Sequence, residues 1–269
     1  MLLTPKNNMR YAKVLFITLQ KVIEQKNKSF VYFLMSLFVP LVMILFWRGA
    51  NYSHQQFSFS TISTYYFFLV IVGAFLMPHQ EEFIAEELIH QGNLGSYLMK
   101  PLSFFSVMLL EEAPWQILQS IFGTIAISIF FILFGNIFII SKSPTTWILS
   151  GIVFVLAYFL AFLYKMCLAF CGFWITEMGG VIQLSEIFLF TFAGYIGPLF
   201  IFPDVLAKLA SILPFSYMIY FPVVAFQGRL QSIYIIEGII AQLVWIIIFA
   251  SLYGFLWKKG LKKFTAVGQ

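Results

Sequence analysis

Charge is what this chain has least of: charged residues make up 10% of its 269 positions, and only 11 are acidic. An ordinary soluble domain carries about 25% charged residues and about 45–50% apolar ones, whereas here the apolar share is 61%. That excludes a water-soluble globular enzyme and implies a protein whose solvent is lipid. A bilayer core takes roughly 20 helical residues to cross, which leaves room for about five to seven spans and no sizeable soluble domain.

Cysteine is also scarce. The two present, Cys167 and Cys171, stand four apart in one apolar run, on one helix face. A structural disulfide is not expected; they read as packing residues, since a metal pair would need further ligands and no histidine stands nearby. A cleavable leader is not evident, because the first long apolar run begins only near Phe30, and the chain reads as unprocessed. Motifs for nucleotide binding and hydrolysis are missing too: no G-x-x-x-x-G-K-[ST], H-E-x-x-H, G-x-S-x-G or G-x-G-x-x-G occurs. The expectation is therefore no catalytic residue, no metal and no cofactor in this chain.

The formal net charge of +5 does not form a nucleic-acid stripe. Six basic residues lie in the first 28 positions (Lys6, Arg10, Lys13, Lys21, Lys26, Lys28) and four in the last twelve (Lys258, Lys259, Lys262, Lys263). Basic flanks mark the cytoplasmic side of a membrane protein. Both termini are therefore expected inside, with an even number of spans.

The pattern predicts an all-α membrane protein of six transmembrane helices forming a single domain. Residues 9–28 place Ala12, Leu15, Phe16, Leu19, Val22 and Ile23 on one stripe opposite Arg10, Lys13, Lys21, Glu24 and Lys28, an amphipathic helix suited to an anionic inner membrane surface. Spans are predicted over 30–47, with Pro40 kinking the first, then 62–77, 115–140, 147–171, 181–202 and 235–257. Connections 48–60 and 141–146 fall outside. With this topology eleven basic residues lie inside and four outside (Arg48, Lys142, Lys208, Arg229), while Lys165 is within a span.

Residues 79–104 then form a cytoplasmic loop with four of the chain's acids packed together: Glu81, Glu82, Glu86 and Glu87. Helix-forming composition runs over 79–91, Gly92 and Gly95 end it, and Lys100 and Pro101 lead back to the bilayer. Glu111 and Glu112 lie at the inner boundary of the third span. On the outer side, 198–232 is divided by Pro198, Pro203, Pro214 and Pro222 into pieces too short to cross, with Val205, Leu206, Leu209, Ile212 and Leu213 on a helical stripe. These read as short amphipathic helices dipping into the outer leaflet.

Lys165 lies about two turns from the inner end of its span. It either snorkels to the interface or pairs with Glu177, Glu112 or a substrate. Glu186 and Glu237 read as boundary residues at span ends. His54, His79 and His90 all fall in loops, as solvated imidazoles. An ion-coupled transporter would show acids or histidines deep in its spans, and a lipid-modifying enzyme would group polar residues at one depth; neither pattern is clear.

The order of parts resembles a known family. An amphipathic N-terminal helix, six spans, a helical inner loop after the second and an outer hairpin of broken helices before the last resemble the ABC-2 type permeases of bacterial ATP-binding cassette exporters. The resemblance extends to the subgroup encoded beside multidrug or antibiotic-resistance ATPases. Two segments carry it: Ile89, Gly92, Leu94, Leu98, Lys100, Pro101 and Leu102 in the inner loop, and Pro198 to Pro203, Leu213 to Phe215 and Tyr220 to Pro222 in the hairpin.

The resemblance implies a multi-pass protein of the bacterial cytoplasmic membrane, exporting an amphipathic or hydrophobic compound as a dimer of identical or sister permeases. ATP and magnesium would be bound by separate cytoplasmic ABC ATPase subunits. Glu81, Glu82, Glu86, Glu87, Gly92, Lys100 and Pro101 would then couple to the ATPase, and Pro198, Pro203, Pro214, Phe215, Tyr220 and Pro222 would shape the outer hairpin. Lipids are the remaining expected partner, and nucleic acid is not one.

Overall fold

A computed structural model describes residues 5–49, 58–76, 79–134 and 143–264. Predicted features at His54, at Pro78 and at the outer ends of the first and third spans, residues 50–57 and 135–142, lie outside the described residues. All regular structure among the described residues is helical. Five segments are long and apolar enough to cross a membrane: Lys26–Trp47, Phe59–His90, Phe104–Ile132, Pro144–Phe173 and Ser232–Leu261.

Helix α1 (Pro5–Glu24) is the predicted amphipathic helix. Its Val14, Leu15, Thr18 and Val22 turn inward, while Met9, Phe16, Ile17 and Ile23 stay exposed beside the basic residues. One apolar edge thus packs on protein, mainly α6, and the other is left exposed. Helix α2 (Lys26–Gly49) follows after a single residue and carries Pro40 inside it, and α3 (Phe59–Leu76) packs against it. A short α4 (Gln80–Glu82) then continues as a wider coil over Phe83–His90, where the Gln91 amide reaches back five residues to the Glu86 carbonyl at 3.1 Å. Gly92 (φ 80°) turns the chain into α5 (Leu94–Leu98). Gly95, predicted as a breaker, lies inside that helix.

Helix α6 (Phe104–Phe134) begins well before the predicted 115, with Pro114 inside it. Proline is tolerated at membrane depth where neighbours satisfy the freed carbonyl, so Glu111 and Glu112 are helical residues rather than a flank. Helix α7 (Pro144–Phe170) starts with proline in its first turn, where no amide is needed, and runs beside α12 (Ser232–Leu261). Cys167 is buried in α7 with its thiol directed at the Phe249 carbonyl, 3.4 Å away, and both cysteines are free.

The predicted fifth span is shorter than its apolar run. Helix α8 (Met178–Phe192) has 15 residues, about 22 Å at 1.5 Å per residue, against a hydrocarbon core of about 30 Å. It stops because Gly194 adopts φ 90°, the left-handed conformation that ends helices. The carbonyls released there find side-chain donors: the Tyr65 hydroxyl donates to the Gly194 carbonyl and the Tyr66 hydroxyl to the Ile196 carbonyl, both at 2.8 Å. Buried peptide groups must be paired somehow, and two adjacent tyrosines on α3 do it here.

A Cβ on residue 194 would meet the Tyr65 hydroxyl at 2.3 Å, besides taking an unfavourable φ. Gly194→Ala is expected to cost more than about 1 kcal/mol. It should lower the thermal midpoint of the detergent-solubilised protein, and an unchanged midpoint would show that this corner yields freely.

The hairpin that follows comprises α9 (Asp204–Ile212), α10 (Pro214–Met218) and α11 (Tyr220–Gln227). Only α9 matches the predicted surface helix, with Val205, Leu206, Leu209 and Ile212 exposed. Helix α11 is core instead, packed on α3 and α7 with Phe221, Pro222, Val223, Val224, Ala225 and Gln227 buried. Its Gln227 amide donates to the Thr61 carbonyl at 2.7 Å, and Gln242 of α12 donates to the Val153 and Tyr217 carbonyls at 3.1 and 3.0 Å. The stripe predicts apolar facing but cannot say whether lipid or protein fills it; here the answer differs between neighbouring helices.

Candidate functional site: inner loop and buried charge cluster

The loop between α3 and α6, predicted to be the inner one, is built on an apolar base. Ile84, Leu88, Ile89 and Leu94 are buried against Phe104, Val107 and Met108 of α6, Phe162, Met166 and Phe170 of α7, and Phe173 just beyond it. The wide coil gives the loop its close seat: Ala85 lies against Gly172, where an added Cβ would stand 3.2 Å from the alanine methyl. His90, expected to be solvated, is a second tie. Its Nδ1 lies 3.0 Å from the Glu86 carboxylate, and its Nε2 lies 3.0 Å from both the Gly172 and Ile175 carbonyls. Every partner is an acceptor, so a doubly protonated ring satisfies all of them.

On the opposite side of this base the loop is open. Met99 is 82% exposed and Leu98 43%; Lys100 and Pro101 directly after them, and Glu82 and Glu87 earlier in the loop, are also exposed. The Lys100 ammonium sits 4.0 Å from the centroid of the Tyr97 ring. Tyr97 points its hydroxyl at Glu111, 3.3 Å away, and burial, reinforced by that carboxylate, pushes its phenol above the ordinary range. The tip is thus a small apolar surface with a charged rim on a rigid support.

The four clustered glutamates do not share one environment. Glu82 and Glu87 face solvent, and Glu86 is partly exposed beside His90. Glu81 is buried and accepts a hydrogen bond from the Lys165 ammonium at 2.5 Å. Lys165 itself is 2% exposed, fully inside, and also donates to Glu186 of α8. Snorkelling is therefore not its state, nor is a pairing with Glu177, which is exposed at the start of α8. Lysine is flexible enough to reach either way; what decides is that α4 brings a carboxylate from 84 positions away to its side. Glu186 is likewise mid-helix, not at a span boundary, whereas Glu237 is exposed in the first turns of α12.

A third carboxylate stands behind this pair. Glu112 of α6 accepts from the His79 amide at 3.2 Å and from the Gln116 amide group at 3.4 Å, within electrostatic reach of Glu81 and Lys165. Gln80 ties α4 to α6 through the Met108 carbonyl at 3.1 Å. Four helices, α4, α6, α7 and α8, thus meet at a polar knot within apolar surroundings. Neither the Glu81–Lys165 contact nor the Glu112 cradle was visible as a motif, since each joins residues from separate helices. The signal in the sequence was the presence of charges inside apolar runs, which are costly there unless paired.

In the hairpin, Pro198, Pro214 and Pro222 are buried and Pro203 is exposed. Phe215 stacks on Phe188 with ring centroids 6.3 Å apart and meets Tyr164 edge-on at 5.5 Å. Tyr220 lies against Tyr65, centroids 6.0 Å apart. The hairpin residues are therefore brought together with α3, α7 and α8, at a distance along the chain from the inner loop.

No curated protein is similar enough to match this chain. The family model described as ABC-2 family transporter protein matches residues 30–268, from the first long helix past the basic tail of the last, so that nearly all of the helices described above fall within it. The chain belongs to the ABC-2 family of transporter membrane proteins.

Proposed function

We propose that this chain is the permease subunit of a bacterial ATP-binding cassette exporter, moving an amphipathic or hydrophobic compound across the cytoplasmic membrane. Membership of the ABC-2 family implies association with an ABC ATPase. The observation that carries the finer reading is the inner loop: an exposed tip of Leu98 and Met99 followed by Lys100, with Glu82 and Glu87 exposed on the same loop, mounted on a buried base. A lever needs such a base. Force applied at the tip passes through Ile84, Leu88 and the His90 ties into α7, and through Phe104 into α6. Glu82, Glu86 and Glu87 then set register on the ATPase, while Gly92, Lys100 and Pro101 shape the tip. Glu81 acts from beneath, through Lys165.

ATP and magnesium belong to the partner, and the permease works as a pair of identical or sister subunits. Both termini lie in the cytoplasm, and the outer hairpin with Pro198, Pro203, Pro214, Phe215, Tyr220 and Pro222 closes the outer end of the pathway. Basic residues at both ends of the chain support the orientation.

Co-reconstitution of permease and ATPase into sealed vesicles tests the reading. ATP-dependent movement of a fluorescent amphiphile is expected with both subunits and absent with either alone. Equal movement without the ATPase would overturn it. Orientation has its own measurement: with both native cysteines removed, a cysteine at Ser143 should react with an impermeant maleimide added to intact cells, and cysteines at Gln91 or Lys262 should not. Labelling at Gln91 would reverse the proposed topology.

A further inference from the structure

We infer that the surface of α8 around Glu186 is a binding site for a lipophilic cation, which takes Glu186 away from Lys165. The inference rests on the exporter reading and adds the class of compound carried.

Charge balance is the first observation. Two carboxylates, Glu81 and Glu186, share one ammonium, that of Lys165. Charges removed from water are normally paired, so the knot is short of positive charge.

Exposure is the second. Glu81 is buried, but the Glu186 side chain is 48% exposed, on a helix whose described contacts are with α4, α7 and α10 and whose Leu184, Ile187, Phe188 and Phe190 stay exposed. Ionisable groups within a membrane protein face a partner, a cavity or a ligand rather than acyl chains. One turn before Glu186 stands Gln183, and one turn after it Phe190, both exposed. At i−3 and i+4 these share its face. An acceptor, a carboxylate and an aromatic ring in a row, with Ile187 beside them, suit a cation carried on an apolar body.

The third observation shows where Lys165 goes. The second oxygen of Glu81, Oε2, is buried with no hydrogen-bond partner, an arrangement that costs free energy unless something fills it. An ammonium has three donors. When a cation occupies Glu186, Lys165 can settle on both oxygens of Glu81, so the unfilled acceptor becomes its seat. No bond is made or broken; the Lys165–Glu186 pair is exchanged for a pair between the cation and Glu186, and the Lys165–Glu81 pair is kept. Because Glu81 lies on α4, directly before the loop that carries the exposed tip, occupancy at α8 is communicated to the ATPase side by where a single lysine rests.

The test is binding of tetraphenylphosphonium to the full chain in lipid nanodiscs, with triphenylphosphine oxide as the uncharged counterpart. Saturable binding of the cation is expected in the wild type. Glu186→Gln should weaken it at least about tenfold, the order of a lost charge-assisted contact, while changing the affinity for the uncharged probe by less than about twofold, since ring contacts remain. Glu81→Gln removes the lysine's second seat without touching the cation, and should also weaken cation binding, by several fold. Monodispersity in size exclusion verifies folding of each variant.

Wild-type binding that does not saturate, or equal affinity in Glu186→Gln, would overturn the site. Unchanged affinity in Glu81→Gln would overturn the exchange of the lysine. Binding needs neither ATP nor ATPase, so failure of the exporter reading and failure of this site give separate results.

Discussion

Replacing Lys165 by methionine is expected to destabilise the protein by about 3–5 kcal/mol, the usual consequence of removing one partner from a buried ion pair. The magnitude follows from what remains. Glu81 is buried with one oxygen already unpartnered, and losing the ammonium leaves its charge without any compensation. Glu186, half exposed, rehydrates and contributes less. The corresponding loss for Glu81→Gln should be smaller, because Lys165 keeps Glu186. The informative protein is the double variant Lys165→Met with Glu81→Gln, in which the buried charges disappear together. It should be more stable than Lys165→Met alone, since replacing a buried pair is far less harmful than breaking it. Thermal midpoints in detergent measure all three. A Lys165→Met variant as stable as the wild type would mean that the carboxylates are satisfied without the lysine.

Charge reversal at the exposed acids should abolish ATPase docking while sparing the fold. Glu82→Lys combined with Glu87→Lys is the variant to make, since both side chains face solvent. Glu81 must be left alone, as reversing it would set two ammonium groups together in the core, and Glu86 is engaged with His90. In the proposed complex the acids meet a basic groove, where charge pairs govern register and specificity, and like charges brought together cost several kcal/mol. Co-purification of the ATPase should fall by at least about a hundredfold, equivalent to roughly 3 kcal/mol, and export should fall with it. The thermal midpoint of the permease itself should stay near that of the wild type, because isolated surface charges contribute little to stability. Docking and export at wild-type levels would make Glu82 and Glu87 simple solvated residues on a helix surface.

Helix formation and membrane residence were legible from sequence for simple reasons. Long apolar runs can satisfy their peptide groups only as helices in lipid, and one-dimensional patterns report that directly. The helical periodicity of α1 was legible too, because it is local, as was the clustering of the glutamates; in the hairpin, Pro203 and Pro214 stand at helix starts, whereas Pro222 lies inside α11. The turn at Gly92 was legible as well, whereas at Gly194 there was only a local signal, glycine, and not its consequence. An apolar run to 202 says nothing of where a helix inside it stops. It stops at Phe192 because tyrosines from α3, about 130 positions earlier, receive the carbonyls that a turn at Gly194 sets free.

Only the tertiary structure decided which charges belong together. Sequence placed Lys165 inside a span and Glu81 in an inner loop, and it assigned Glu81 the same exposed role as Glu82 and Glu87. Periodicity could not separate them, since the preference of a glutamate for water is overcome only by an ammonium delivered from another helix. Folding α4 against α7 and α8 supplied it. The same holds for α9 and α11, both short and apolar: the stripe of α9 is left exposed and α11 is buried in the core. A stripe specifies that a face must leave water. Whether lipid or protein receives it depends on neighbours distant in the chain, and so does whether a charge at depth costs free energy or holds four helices together.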